Sequence, residues 1–319
     1  MRKINIITYA DGFYIQHACI MLMSLKNVVT ATREYEVFIF YSNCDKKSLE
    51  KINTSLNGYL PENINFQLVK CDFNISSKLK AKSEHLNASI YDKILIYERI
   101  PANVKKVVFL DADIVLEKDP ALIFDLDLEE NYVGAVRDQV FEDFSKEAKS
   151  TLGINAHQYF NAGVMLVNLN KWRADNISKK SLDFAVKKWN LTPYHDQDAF
   201  NYVVKGNWKE ISPLWNPRIL NKVIVGDKEK VYTKMEVYEK DISYLIHYSG
   251  PEKPWFYMSF HPKKVEYLKY LRVSEFKDYK FPDYNFKNII KKQIIALRRK
   301  FYFFRKSVKL TYRTNKTHG

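Results

Sequence analysis

Cysteine is scarce in this chain. Cys19, Cys44 and Cys71 are the only three in 319 residues, and none has the spacing of a metal knuckle or a redox pair. No disulfide framework is expected, and the usage fits a reducing compartment. Glycine is also scarce, with nine in all. Neither G-x-G-x-x-G nor a Walker-type loop occurs, so a nucleotide would have to be held by a metal and side chains. Long apolar runs are missing too. No stretch of about 18 uncharged apolar residues is present, and no membrane-spanning helix is expected. Asp11 interrupts the segment after Met1-Arg2-Lys3 before any cleavage-site pattern, so a first strand is expected there and not a signal peptide. No internal repeat or low-complexity tract occurs.

What is present is globular in composition: 46% hydrophobic, 28% charged and 15% aromatic, enough for a sizeable core. The length allows one large domain or two ordinary ones. The net charge of +14 is uneven. Eleven of the 51 Lys and Arg residues lie between Phe286 and Gly319, which contains no acid, so the body is nearly neutral and the tail carries the charge.

Apolar patterning predicts strands at Asn5–Tyr9, Glu36–Tyr41, Ile64–Val69 and Val107–Leu110. Helices are predicted over Phe13–Leu25, near Lys46–Leu56 and from about Ser89 to Glu98. Later strands are expected at Tyr132–Val136, Gly163–Asn168 and Tyr244–His247, with helices around Lys179–Trp189 and Gln197–Val204. The β-α alternation argues for an α/β fold, a mostly parallel three-layer sheet with ligands beyond the carboxyl ends of its strands. Asp11 and Asp111 both fall there.

Four polar blocks stand out. The run Val107-Val108-Phe109-Leu110 leads straight into Asp111-Ala112-Asp113. In an extended segment residues i and i+2 face the same way, so the two carboxylates can converge on a hard divalent cation; the alternative is a solvated turn. His247-Tyr248-Ser249-Gly250-Pro251-Glu252-Lys253-Pro254-Trp255 joins a potential metal ligand to a point charge suited to phosphate, or is a structured turn with a satisfied histidine. Phe160-Asn161-Ala162-Gly163 puts an amide and small residues at the mouth of a strand. His195-Asp196-Gln197-Asp198 opens a helix, where Asp196 is either functional or an N-cap.

Together with Tyr9-Ala10-Asp11, these blocks, in this order, resemble the family 8 glycosyltransferases, retaining enzymes that use nucleotide sugars. The resemblance covers roughly residues 3 to 260, and bacterial lipopolysaccharide or lipooligosaccharide α-galactosyl- and α-glucosyltransferases are the most similar members. It implies a single Rossmann-like nucleotide-sugar domain of GT-A type over residues 1–282, with a mixed, mostly parallel sheet flanked by helices. It implies that Asp111, Asp113 and His247 bind Mn²⁺ or Mg²⁺, and that Lys253 and the Gly250 backbone contact the diphosphate. Tyr9 and Asp11 would hold the uridine. Asp138, Asn161 and Ala162 would hold the donor sugar, with Ala112 and Lys93 also on the donor. Asp196 and Gln197 would lie at the anomeric carbon as the catalytic pair. Two departures stand out: Gly12-Phe13 replaces the common Asp-Asn, and Lys93 stands where relatives often carry arginine, which loses bidentate geometry.

In the tail, Ile290, Ile294, Leu297, Phe301, Phe304 and Val308 recur within an arc of about 80°, with Lys287, Lys291, Arg298, Arg299, Arg305, Lys306 and Lys309 elsewhere around the helix. Residues 283–319 are therefore expected to form a basic amphipathic helix lying on an anionic membrane, and an apolar stripe of this kind argues against a nucleic-acid partner. The expected enzyme is cytoplasmic and peripheral to the inner face of the cell membrane. It takes a UDP-sugar donor and a saccharide or glycolipid acceptor. A sugar nucleotidyltransferase, or a non-catalytic membrane- or nucleic-acid-binding protein on a degenerate fold, is the alternative.

Overall fold

The computed structural model describes residues 3–71, 73, 88–188, 190–217, 243–250 and 252–298. It divides into two compact units. One comprises Met1–Arg218, Val237–His247 and Lys269–Lys277; the other comprises Ile219–Glu236, Tyr248–Leu268 and Asp278–Gly319.

The first unit is built on β1 (Ile4–Asp11), β2 (Tyr35–Ser42), β3 (Ile64–Lys70), β4 (Lys106–Leu110), β6 (Val133–Arg137), β7 (Phe160–Asn168) and β8 (Trp208–Glu210). These form one seven-stranded sheet in the order β3-β2-β1-β4-β7-β6-β8. Strands β3, β2, β1 and β4 run parallel, whereas β7 is antiparallel to both of its neighbours. The sheet is thus the expected mixed, mostly parallel one. Helix α1 (Tyr14–Leu25) is buried along almost its whole length, which its run of apolar residues dictates. Helix α2 (Lys46–Tyr59) starts where the Asp45 side chain accepts the Ser48 N–H. Helix α3 (Ala88–Leu95) continues into a 3₁₀ turn over Ile96–Arg99. Helix α7 (Ile177–Lys188) and helix α8 (His195–Val204) pack beside it, after the short helices α4 (Ala121–Phe124), α5 (Lys146–Leu152) and α6 (Leu169–Ala174). Tyr97, Trp172 and Phe200 form an aromatic cluster in this core, with ring centroids 4.8 to 5.9 Å apart.

Two features depart from the patterning. The strand at Leu245–His247 (β9) lies outside the main sheet, as an antiparallel ribbon with β5 (Ile114–Leu116). The strand itself was expected at Tyr244–His247, but its three-residue partner β5 carries too little periodicity to be read from sequence. Strand β7 also begins earlier than its apolar run, so Asn161, Ala162 and Gly163 lie within it. The β6–β7 register shifts there, with Ala135 facing Met165 but Val136 facing Asn161.

In the second unit, the first half of α9 (Lys264–Val273) belongs with residues 248–263. A helix runs over 286–298, with Phe286, Ile290, Ile294 and Leu297 exposed. Arg299, Phe301, Phe304, Arg305, Lys306, Val308 and Lys309 of the expected stripe and basic face lie outside the described residues. Among the described residues no helix is long and apolar enough to cross a membrane.

Candidate active site

Strand β4 delivers four buried apolar residues and stops at Leu110. Asp111, Ala112 and Asp113 form the link to β5, so the two carboxylates converge across a turn and not along a strand. In the β5–β9 ribbon Ile114 faces His247, which brings the imidazole beside Asp113. His247 Nε2 is 3.1 Å from Asp113 Oδ1 and 3.8 Å from Asp111 Oδ2. One ligand atom from each residue lies within 4.8 Å of the others.

Two carboxylates and an imidazole suit a hard or borderline divalent cation. Gly163 leaves the room they need. A Cβ there would stand 2.5 Å from His247 Cε1, 2.8 Å from Asp111 Oδ2 and 3.0 Å from Asn161 Oδ1. The residues present therefore fit Mn²⁺ or Mg²⁺. The Gly163 carbonyl also accepts the Asp111 N–H at 2.9 Å, tying the turn to β7.

Lys93, on α3, is the positive centre of this region. Its ammonium is 2.8 Å from Asp111 Oδ1 and 2.8 Å from Asp196 Oδ2, and it lies 5.1 Å from the Phe109 ring centroid. Burial works to lower the Lys93 pKa, but the two carboxylates outweigh it and hold the ammonium charged. Burial likewise raises Asp111, with Lys93 opposing. Lys93 thus gives one point charge to two acids.

Asp196 lies in the first turn of α8 and is not its N-cap; Tyr194, the residue before the helix, has that place without a side-chain bond. Asp198 ties the turn instead, accepting from the Tyr194 N–H at 2.6 Å and from the Tyr159 hydroxyl at 2.5 Å. Burial pushes its carboxyl up to about 6. Gln197 is buried with its amide fully directed. It donates to Asp138 Oδ2 (3.2 Å) and the Tyr159 hydroxyl (3.0 Å), and accepts the Ala162 N–H (3.0 Å). Asn161 donates to the same Asp138 oxygen at 2.8 Å. Asp138, Asn161, Ala162 and Gln197, which belong to two sequence blocks and a lone aspartate, are therefore one network, while Asp196 pairs with Lys93.

Tyr9 and Asp11 lie at the carboxyl end of β1. The Tyr9 hydroxyl bonds Ser42 and also Asp92 at 3.3 Å, and burial raises its pKa. Asp11 accepts from Asn43 Nδ2 at 2.7 Å. Sequence reasoning missed Asn216, whose Oδ1 sits 2.8 Å from His247 Nδ1, and gave no role to Asp198 within the His195–Asp198 block.

In the second unit, the loop after Tyr248 folds over a buried Trp255, whose ring packs on Tyr267. Gly250 has φ +80°, and nothing lies within 4 Å of the place a Cβ would take. Only glycine adopts that backbone without strain. Lys253 Nζ donates to the Tyr248 carbonyl at 2.7 Å. Asp283 accepts from the Tyr257 and Met258 N–H groups (2.5 and 2.8 Å), and Lys292 donates to the Tyr257 carbonyl. Residues at the root of the basic segment thus hold the backbone just after the Lys253-Pro254-Trp255 turn.

Comparison with known proteins matches residues 5–259 to the family described as Glycosyl transferase family 8. General stress protein A of Bacillus subtilis is 27% identical over 285 residues, 86% of this chain and 96% of that protein. The lipopolysaccharide 1,2-glucosyltransferase of Escherichia coli is 29% identical over 195 residues, 60% of this chain and 56% of that protein. Among solved structures, the galactosyltransferase LgtC in complex with donor and acceptor sugar analogs superimposes with a TM-score of 0.67 at 23% identity. The match covers 85% of this chain and 96% of LgtC, and the two share the GT-A fold.

Proposed function

The chain belongs to glycosyl transferase family 8, and we propose that it moves galactose or glucose, with retention, from a UDP-sugar to a saccharide on a membrane glycolipid or other cell-surface glycan. The observation that carries this reading is the convergence of Asp111, Asp113 and His247 beside the Lys93–Asp196 ion pair. The lipopolysaccharide glucosyltransferase among the relatives supports an acceptor of lipopolysaccharide type.

Asp111, Asp113 and His247 would hold Mn²⁺ or Mg²⁺. When bound, the cation supplies positive charge to the leaving diphosphate, a role that needs no proton donor. Lys253 and the backbone at Gly250 add to that charge on the diphosphate. Tyr9 and Asp11 take the uridine and Asp138, Asn161 and Ala162 the sugar, with Ala112 and Lys93 also on the donor. Asp196 and Gln197 face the anomeric carbon. In the step itself the bond from the anomeric carbon to the diphosphate oxygen breaks, and a bond to the acceptor oxygen forms on the same face. The departing diphosphate receives the acceptor's proton. Two features favour same-face attack over a covalent intermediate: the Gln197 carboxamide is a poor nucleophile, and Asp196 is held by Lys93.

Residues 1–282 would be the catalytic part, and 283–319 a basic segment that keeps the enzyme at the inner face of the membrane. Each Lys or Arg near an anionic leaflet contributes about 1 kcal/mol. The test is product analysis with UDP-galactose, UDP-glucose and other UDP-sugars, with and without acceptor saccharides. UDP and a glycosylated acceptor are expected. Pyrophosphate would instead select the nucleotidyltransferase reading, and no turnover of any nucleotide sugar would select a non-catalytic one.

A further inference from the structure

The side chains behind His247 form a directed chain of hydrogen bonds. An ionised carboxylate can only accept, so Asp138 Oδ2 fixes the amide of Asn161, whose Nδ2 donates to it at 2.8 Å. Asn161 Oδ1 then points the other way, accepting the Gly163 N–H at 2.8 Å and Asn216 Nδ2 at 2.6 Å. That donation turns Asn216 Oδ1 toward His247 Nδ1, 2.8 Å away. An amide oxygen has no proton to give, so Nδ1 must carry the hydrogen. The lone pair of the neutral ring then lies on Nε2, the nitrogen that faces Asp113 and Asp111. Asp138, Asn216 and His247 are all buried, leaving little water to substitute for any of these bonds.

We propose that Asn216 is a positioning residue that fixes the tautomer and ring orientation of His247, and that the chain Asp138–Asn161–Asn216–His247 ties the sugar-binding end of the site to its cation-binding end. This rests on the reading of Asp111, Asp113 and His247 as a cation site. Partners that orient a ligating histidine typically change metal affinity by about 10- to 100-fold when removed.

The test uses the full chain and two readouts independent of turnover. The ¹⁵N spectrum of metal-free protein, assigned by difference with His247→Ala, reports the tautomer. Titration calorimetry with Mn²⁺ alone reports affinity. Wild type should show the Nδ1–H tautomer at His247. Asn216→Ala should lose that signature and weaken Mn²⁺ by about 10- to 100-fold. Asn216→Asp keeps an acceptor for Nδ1 but loses the donor to Asn161 Oδ1, and should keep the Nδ1–H signature. An Nε2–H signature in the wild type, which needs no variant to observe, overturns the proposal. So does wild-type Mn²⁺ affinity in Asn216→Ala when His247→Ala has lost it. If His247→Ala itself binds Mn²⁺ like the wild type, the cation-site reading has failed and not merely the role of Asn216.

Discussion

Lys93 and Asp111 hold their charges 2.8 Å apart, and the same ammonium lies 2.8 Å from Asp196. A single lysine therefore balances one carboxylate of the candidate cation site and one acid of the helix that carries Gln197. Removing one partner of a largely buried pair leaves an uncompensated charge, at about 3 kcal/mol. Lys93→Ala should lower the metal-free melting temperature, and saturating Mn²⁺ should raise it more than in wild type, because added positive charge beside Asp111 replaces part of what was lost. An equal or smaller Mn²⁺ shift in the variant, by differential scanning fluorimetry, would show that Lys93 and the cation do not share Asp111.

Gly163→Ala tests the geometry around the three ligand atoms. The new methyl cannot sit 2.5 Å from His247 Cε1 and 2.8 Å from Asp111 Oδ2, so both side chains must move. Misplacement of about 1 Å at a reacting site can cost about a hundredfold in rate. A loss of that order in kcat/KM, with unchanged far-UV circular dichroism, is expected. A rate within twofold of wild type would mean that these side chains do not take part in turnover.

Asp198 makes stability depend on pH with a sign opposite to that of most carboxylates. Its folded value of about 6 lies above the ordinary 3.8. Between those values the folded chain binds the extra proton, so stability from this group is present at low pH and falls as pH rises to about 6. The change is on the order of 3 kcal/mol. Asp198→Asn, which can still accept from Tyr194 N–H and bond the Tyr159 hydroxyl, should flatten the denaturant-unfolding profile between pH 4 and pH 6. A slope identical to wild type would rule this out.

The parallel half of the fold was legible because β1 to β4 and their helices carry long, regular apolar patterns. The site was legible only in part. Spacing singled out Asp111 and Asp113, although they converge across a turn and not along a strand, and His247 joined them only through the resemblance, because the β5–β9 ribbon that brings it there has three-residue strands. Asp198 follows Gln197 in one short block, but the network it joins depends on Tyr159, which is 39 residues away in sequence. Asn216 stands alone in sequence, and only tertiary structure sets it against His247. The two roles of Lys93 depend on distances that no motif encodes.

The basic segment can be cut at two places with different expected results. A chain ending at residue 298 keeps Asp283 and Lys292 on the 257–259 backbone. It should stay folded, turn over a soluble acceptor, and lose binding to vesicles containing anionic lipid. A chain ending at 282 loses both ties and should melt several degrees lower. Vesicle binding by the intact chain should weaken with salt, since exposed charges are screened within about 8 Å at physiological ionic strength. Intact protein that ignores anionic vesicles at low salt would contradict the membrane role.

Asp111, Asp113 and His247 are proposed to hold the cation that supports sugar transfer. The most direct test is the rate of UDP release from the preferred UDP-sugar and acceptor, measured after EDTA treatment and again after Mn²⁺ is restored, in wild type, Asp113→Asn and His247→Ala. Wild type should lose at least about a hundredfold in EDTA, in line with losing one preorganised charge, and regain it with Mn²⁺. The folded variants should stay inactive at Mn²⁺ concentrations that saturate the wild type. Full wild-type activity in EDTA, or variants as active as the parent, would show that no cation at these residues supports transfer.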